Sequence, residues 1–180
     1  MQKTMYMMIG VSGSGKTRWA ANKTKELRAQ PNPPRICYHS YAKCRRYFAS
    51  RETTSGSIPS IDKVIAIVSK DRDKFLEFYE KRKRKDFSNA DVIIVDGTNL
   101  ISEHRDPYIK LADELGFKKI AVIVDADVET ILARHQNRVN PIPDALLRKQ
   151  IEEFKVLDVG LTFDVVIHHF SSGVEPMRKL

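Results

Sequence analysis

Cysteine is scarce in this sequence. Cys37 and Cys44 are the only two in 180 residues, and their spacing fits no metal-binding motif. Two thiols also make a poor disulfide framework, so the expectation is reduced cysteines in a cytoplasmic setting. Long hydrophobic runs are lacking as well. The run from Met5 to Val11 is too short for a membrane span or a secretory leader, and it leads straight into glycines. No membrane partner is therefore expected. No internal repeat is present, which excludes a solenoid or a propeller. Acidic residues are in deficit, 23 against 31 lysines plus arginines, for a net charge of +8. That excess suits polyanionic partners such as nucleic acid or nucleotides, although it also serves solubility.

The remaining composition is that of a globular chain, 42% apolar and 30% charged, of a length for one domain spanning residues 1–180. Three short apolar runs predict buried strands: Met5 to Ile9, Asp91 to Val95 and Lys119 to Val124. Arg35 to His39 and Asp164 to His168 are weaker strand candidates, and His168 and His169, ending the second, are read as structural. Helical spacing fills the gaps. It runs from Lys16 to Gln30, from Ser102 to Leu115 before Gly116, and from Asp144 to Leu157. Asp127 reads as the N-cap of a helix from Val128 to Arg138. The stripe Ile61, Val64, Ile65, Val68, Phe75, Phe78, Tyr79 predicts one long helix or two short ones, broken around Asp71 to Asp73. Strands alternating with helices predict an α/β fold, a doubly wound parallel five-stranded sheet. Arg51 to Ser60 reads as a mobile loop and Ser171 to Leu180 as a loose tail.

The stretch Gly10-Val11-Ser12-Gly13-Ser14-Gly15-Lys16-Thr17 fits G-x-x-x-x-G-K-[ST], the phosphate-binding P-loop. It follows an apolar strand and opens an amphipathic helix, the context the motif needs. Glycines let backbone N–H groups curl around phosphate oxygens, and the helix N-terminus adds its positive dipole end. Lys16 supplies a point charge near the β- and γ-phosphates, and the Thr17 hydroxyl suits Mg²⁺. ATP and Mg²⁺ are thus the expected cofactors. A carboxylate at the end of a second buried strand is the usual companion, and Asp96, closing Val92-Ile93-Ile94-Val95, fills that position.

With these motifs together, the chain resembles the P-loop kinases related to polynucleotide 5′-hydroxyl kinase, most of all the kinase domain of phage enzymes. The resemblance rests on Gly10 to Ala20, on Asp96-Gly97-Thr98-Asn99-Leu100 with His104-Arg105, on Ala133-Arg134-His135-Gln136-Asn137-Arg138, and on Val139-Asn140-Pro141-Ile142-Pro143 leading to Arg148. It covers Met5 to about Phe154 and is poorest in the middle. It implies a lid over about 134–144, whose Arg134 and Arg138 reach over the ATP phosphates. Those arginines lie four residues apart, hence on one helical face. It also implies a loop shaped by Thr98 and Asn99, Asn99 standing at the acceptor side, with Arg105 structural. The implied activity is transfer of the γ-phosphoryl group to a polynucleotide hydroxyl in a phage-like protein.

One departure matters. The family places an aspartate after the second strand to accept the hydroxyl proton, and an arginine three residues later for the acceptor phosphate. Here those positions hold Ser40 and Lys43. Serine is no base at neutral pH, and lysine keeps the charge without the bidentate fork. Either His39, Asp62, Asp71 or Asp73 supplies the base, or the loose transition state tolerates its loss, or the acceptor or the activity differs. Lys43, Arg45, Arg46 and Arg51 are interleaved with Tyr38, Tyr41, Tyr47 and Phe48, and a further basic run follows at Lys81 to Lys85, a pattern that suits a single-stranded end or a flipped nucleotide. The alternatives are a kinase of a modified-base hydroxyl in DNA, a small-molecule or nucleoside kinase, and an ATP-binding regulatory module.

Overall fold

The computed structural model describes residues 2–53, 59–139 and 141–171. Along the chain run β1 (Thr4–Ile9), α1 (Lys16–Arg28), β2 (Ile36–Ser40), α2 (Tyr41–Arg51), α3 (Ile61–Lys70), α4 (Arg72–Ser88), β3 (Val92–Asp96), α5 (Ser102–Glu114), β4 (Lys118–Asp125), α6 (Val128–Gln136), α7 (Asp144–Lys155) and β5 (Val165–Phe170). The strands pair in parallel in the order β2-β3-β1-β4-β5. This is the five-stranded α/β sheet that the apolar runs predict. Parallel neighbours need crossovers, which the helices supply.

The central strands are buried on both faces, which is why they read as continuous apolar runs. Met5, Met7 and Ile9 of β1 point into a large core with Phe48 of α2, Phe75 and Phe87 of α4, Ile131 of α6 and Phe154 of α7. Met8 and Tyr6 point the other way, into a smaller core under α1 with Ala20, Trp19, Ile94 and Val122. Edge strand β5 alternates half-buried and exposed positions. Its run is correspondingly short and mixed, with His168 exposed and His169 half-buried.

Several elements differ from the sequence expectation. Helix α2 is additional, because its buried Cys44, Phe48 and Ala49 are flanked by cations and tyrosines that obscure the stripe. The stripe from Ile61, by contrast, takes the two-helix form with the expected break, parted at Asp71 with φ −116° and ψ 47°. Helices α1 and α7 each stop two residues before the expected Gln30 and Leu157. Asp127 caps α6 as expected, accepting from the Thr130 N–H at 2.6 Å. Residues 54–58 of the expected mobile loop, Asn140 of the proline turn and the expected tail beyond Ser171 lie outside the described residues.

Candidate functional site

The loop between β1 and α1 sits at the C-terminal edge of the sheet. Gly10 has φ +148°, and a Cβ there would lie 2.4 Å from the Val124 carbonyl oxygen, so only glycine fits. Gly15, at φ 107°, is the N-cap of α1 and offers no side-chain cap. The first N–H groups of α1, and the positive end of its dipole, are therefore left for a ligand inside the loop. Among the described residues, the buried Ser14 Oγ has no hydrogen-bond partner. Open amides beside an unpartnered buried hydroxyl form a cradle that fits a phosphate chain.

Distant elements brace this cradle. Gly10 N–H donates to the Thr98 carbonyl at 3.0 Å. Ser12 N–H donates to Oε1 of Gln150, on α7, at 3.0 Å. Arg134 of α6 donates to the Gly13 carbonyl at 3.0 Å and to Oγ and the carbonyl of Ser171 at 3.0 and 3.2 Å. Ser171 Oγ in turn donates to the Ser14 carbonyl.

Lys16 is buried beneath the loop, its Nζ donating to the carbonyls of Gly10 at 2.8 Å and Val11 at 2.7 Å. Burial pushes its pKa down to about 8; nearby Asp96 opposes the fall and Arg138 adds to it. An ammonium held at this cost beside open amides awaits negative charge. Asp96 ends β3, with Ser40 of β2 opposite it in register. The Tyr38 hydroxyl donates to Asp96 Oδ2. Burial together with the Asp96 carboxylate raises its pKa, keeping the phenol protonated. Lys43 Nζ lies 3.9 Å from the centroid of the Tyr38 ring.

Thr17 and Asp96 together offer hard oxygen donors, which suit Mg²⁺. Among the described residues no group of three or more His, Cys, Asp or Glu could hold a metal. A magnesium ion here would take its remaining ligands from phosphate oxygens and water.

The expected residues do not all gather. Gly10 to Thr17, Asp96, Arg138, Ser40 and Lys43 converge on one edge of the sheet. Arg134 and Arg138 do not share a helical face, because α6 ends at Gln136. The Asn137 side chain caps the helix early, donating to the Ala133 carbonyl at 2.9 Å. Arg134 consequently braces the loop, while Arg138 stands beyond the helix. Asn99, expected at the acceptor side, is only 6% exposed. Its φ is 47°, and its amide is spent on the Met8 carbonyl at 2.7 Å, which fits the loop-shaping role also expected of it and not the acceptor side. Arg105 is structural as expected, its guanidinium donating to the carbonyls of Asn99, Leu100 and Asp158 at 3.1, 2.8 and 2.6 Å.

Arg45 turns from the loop toward the Tyr41 ring, 5.1 Å from its centroid. His39 is fully buried. Its Nδ1 is 2.9 Å from Asp86 Oδ2, and its ring sits between Tyr79 and Tyr108; that placement removes it from the list of bases. Most of the Lys81–Lys85 run is ion-paired within or near its own helix: Lys81 with Glu77 at 2.6 Å, Arg82 with Asp86 at 3.0 Å, Lys83 with Glu80 at 2.8 Å and Arg84 with Glu114 at 3.2 Å. Burial pushes the Cys44 thiol up to about 11, so it stays a thiol. Sequence reasoning set Tyr38 only among the aromatics near the acceptor cations, not beside Asp96, and missed Gln150. Tyr38 stood two residues before the altered Ser40, but neither residue belongs to a motif.

Parallel sheet, phosphate loop and strand-end carboxylate together define a P-loop NTPase fold of the kinase-like type. A family model described as an AAA domain matches residues 5–157. The chain belongs to that family. No curated protein matches it. Solved structures share the fold. A chain of the AvrRxo1-ORF1:-ORF2 complex with ATP is 24% identical with a TM-score of 0.58, over 86% of this chain and 48% of that one. This chain thus spans about half the length of that neighbour. The PezAT chromosomal toxin–antitoxin system of Streptococcus pneumoniae is 16% identical, with a TM-score of 0.64, over 97% of this chain and 71% of that one. Kti12 of Chaetomium thermophilum, in complex with ADP-AlF3, is 18% identical, with a TM-score of 0.61, over 95% and 91%. Among the described residues no helix is long and apolar enough to cross a membrane.

Proposed function

We propose that this protein is an ATP-dependent kinase that transfers the γ-phosphoryl group to a hydroxyl of a polynucleotide, with a 5′-hydroxyl end as the favoured acceptor. The observation that carries the kinase reading is the buried Lys16, set under an open glycine loop beside Thr17 and Asp96. In this reading the loop amides and Lys16 hold the β- and γ-phosphates, and Arg138, on a lid over about 134–144, adds charge on the open side. Thr17 and Asp96 would hold Mg²⁺, which neutralises charge on the phosphates. The acceptor oxygen forms a bond to the γ-phosphorus as the β–γ bridging bond breaks, ADP leaves, and the hydroxyl proton passes to solvent. Ser40 accepts none of it, and positioning carries the rate.

The polynucleotide acceptor is supported by Lys43 and Arg46 on α2, which take part in no ion pair among the described residues. Tyr47, 52% exposed, stacks on Phe78 nearby at 5.9 Å, a face open to a base. The ion-paired α4 run favours a second reading, a small-molecule kinase, because it leaves fewer free cations for a long polyanion.

Incubation with γ-labelled ATP and a panel of acceptors tests this. Label on the terminal nucleotide of a 5′-hydroxyl oligonucleotide is the expected result. Label only on hydroxymethylated duplex, or only on free nucleosides or sugars, replaces the acceptor while keeping the kinase. ATP binding without label on any hydroxyl overturns transfer and leaves a regulatory module.

A further inference from the structure

Tyr38 belongs to no motif, yet it touches both sides of the site. Strands β2 and β3 are parallel neighbours, with Tyr38 opposite Ile94 and Ser40 opposite Asp96. The Tyr38 side chain therefore lies on the α1 face of the sheet, packed against the smaller core. From there it runs along β3 to the end of the strand, where its hydroxyl donates to Asp96 Oδ2. The outer face of the ring carries the Lys43 ammonium.

We propose that Tyr38 is a positioning residue whose hydroxyl fixes the Asp96 carboxylate in the orientation that receives Mg²⁺, while its ring steadies Lys43 on the acceptor side. This rests on the ATP·Mg²⁺ reading above. A carboxylate at a strand end can rotate about its side-chain bonds, and each orientation presents different oxygens. One phenolic hydrogen bond fixes one oxygen and leaves the other for a cation or its water. Partners that orient metal ligands in this way commonly govern metal affinity about 10–100-fold. The competing account is packing alone: a core tyrosine whose hydroxyl takes the nearest acceptor. Tyr38→Phe separates the two, because it keeps the ring, the core contact and the cation–π contact with Lys43 while removing the one hydroxyl.

The experiment is calorimetric titration of ATP into the full chain, repeated without divalent cation and across a series of Mg²⁺ concentrations. For Tyr38→Phe the expected result is ATP affinity within about twofold of the native protein in the absence of Mg²⁺. The Mg²⁺ concentration at half-effect rises by about tenfold or more. Asp96→Asn raises it too, and the double variant shows less than the product of the two effects, since both act through one carboxylate. An unchanged Mg²⁺ midpoint in Tyr38→Phe overturns the proposal. So does equal weakening with and without Mg²⁺, the mark of a packing role, or a fully multiplicative double variant. A native protein that binds ATP with no response to Mg²⁺ removes the magnesium reading itself, and this inference with it.

Discussion

Lys16 shows how one side chain can oppose the fold and serve the site. Its folded pKa is depressed from 10.5 to about 8, chiefly by burial. Between those values the unfolded chain binds more protons than the folded one, so stability rises as pH climbs from about 8 toward 10.5. Below that window the buried charge costs roughly 3 kcal/mol, an order-of-magnitude figure. Phosphate oxygens offset that cost when a nucleotide binds. Lys16→Met is therefore expected to be at least as stable as the native protein at pH 7 and to lose its rise in melting temperature with ATP. Scanning calorimetry with and without nucleotide reads both, and an undiminished ATP shift would sink the assignment. The motif made this lysine legible from sequence. For Asn99 the loop-shaping role was legible beside Thr98, but its burial away from an acceptor was not, because its positive φ and its bond to Met8 are properties of a folded loop, invisible in the string Asp96-Gly97-Thr98-Asn99.

Elements brace the loop from behind, and here sequence spacing failed for a physical reason. Gln150 sits 138 residues beyond Ser12 along the chain, yet its Oε1 accepts that residue's N–H. Removing it leaves a half-buried amide unpaired, which costs about 1–3 kcal/mol. Gln150→Ala should lower the urea midpoint accordingly and weaken ATP binding several-fold; unaltered values for both would show that α7 does not support the loop. Helix α6 teaches the same lesson. Its start was legible, since Asp127 caps Thr130 as such a residue does anywhere. Its end was not, because the Asn137 side chain closes it before Arg138. The four-residue spacing of the arginines was sound geometry applied to a helix that stops too soon. Helix α2 carried a short signal in Cys44 and Phe48, one turn apart, hidden among cations.

At the scale of the whole molecule, the charge of +8 turns into a measurable difference between the two acceptor readings. Two or three phosphate contacts on a single strand would give a log–log slope of affinity against salt of about −2. Fluorescence anisotropy of a labelled 5′-hydroxyl oligonucleotide between low and physiological salt checks this. A slope near zero favours the small-molecule acceptor. By itself the sequence determined the parallel α/β sheet and the phosphate loop. Both are written in local patterns: buried strands must be apolar throughout, and a loop that wraps phosphate must be rich in glycine. Only the tertiary structure decided which of the many cations are spent on neighbouring carboxylates, that His39 is sealed into the core, and that the Tyr38 hydroxyl reaches Asp96. Those outcomes depend on which faces meet when strands distant in sequence become neighbours, and no local rule of spacing encodes that pairing.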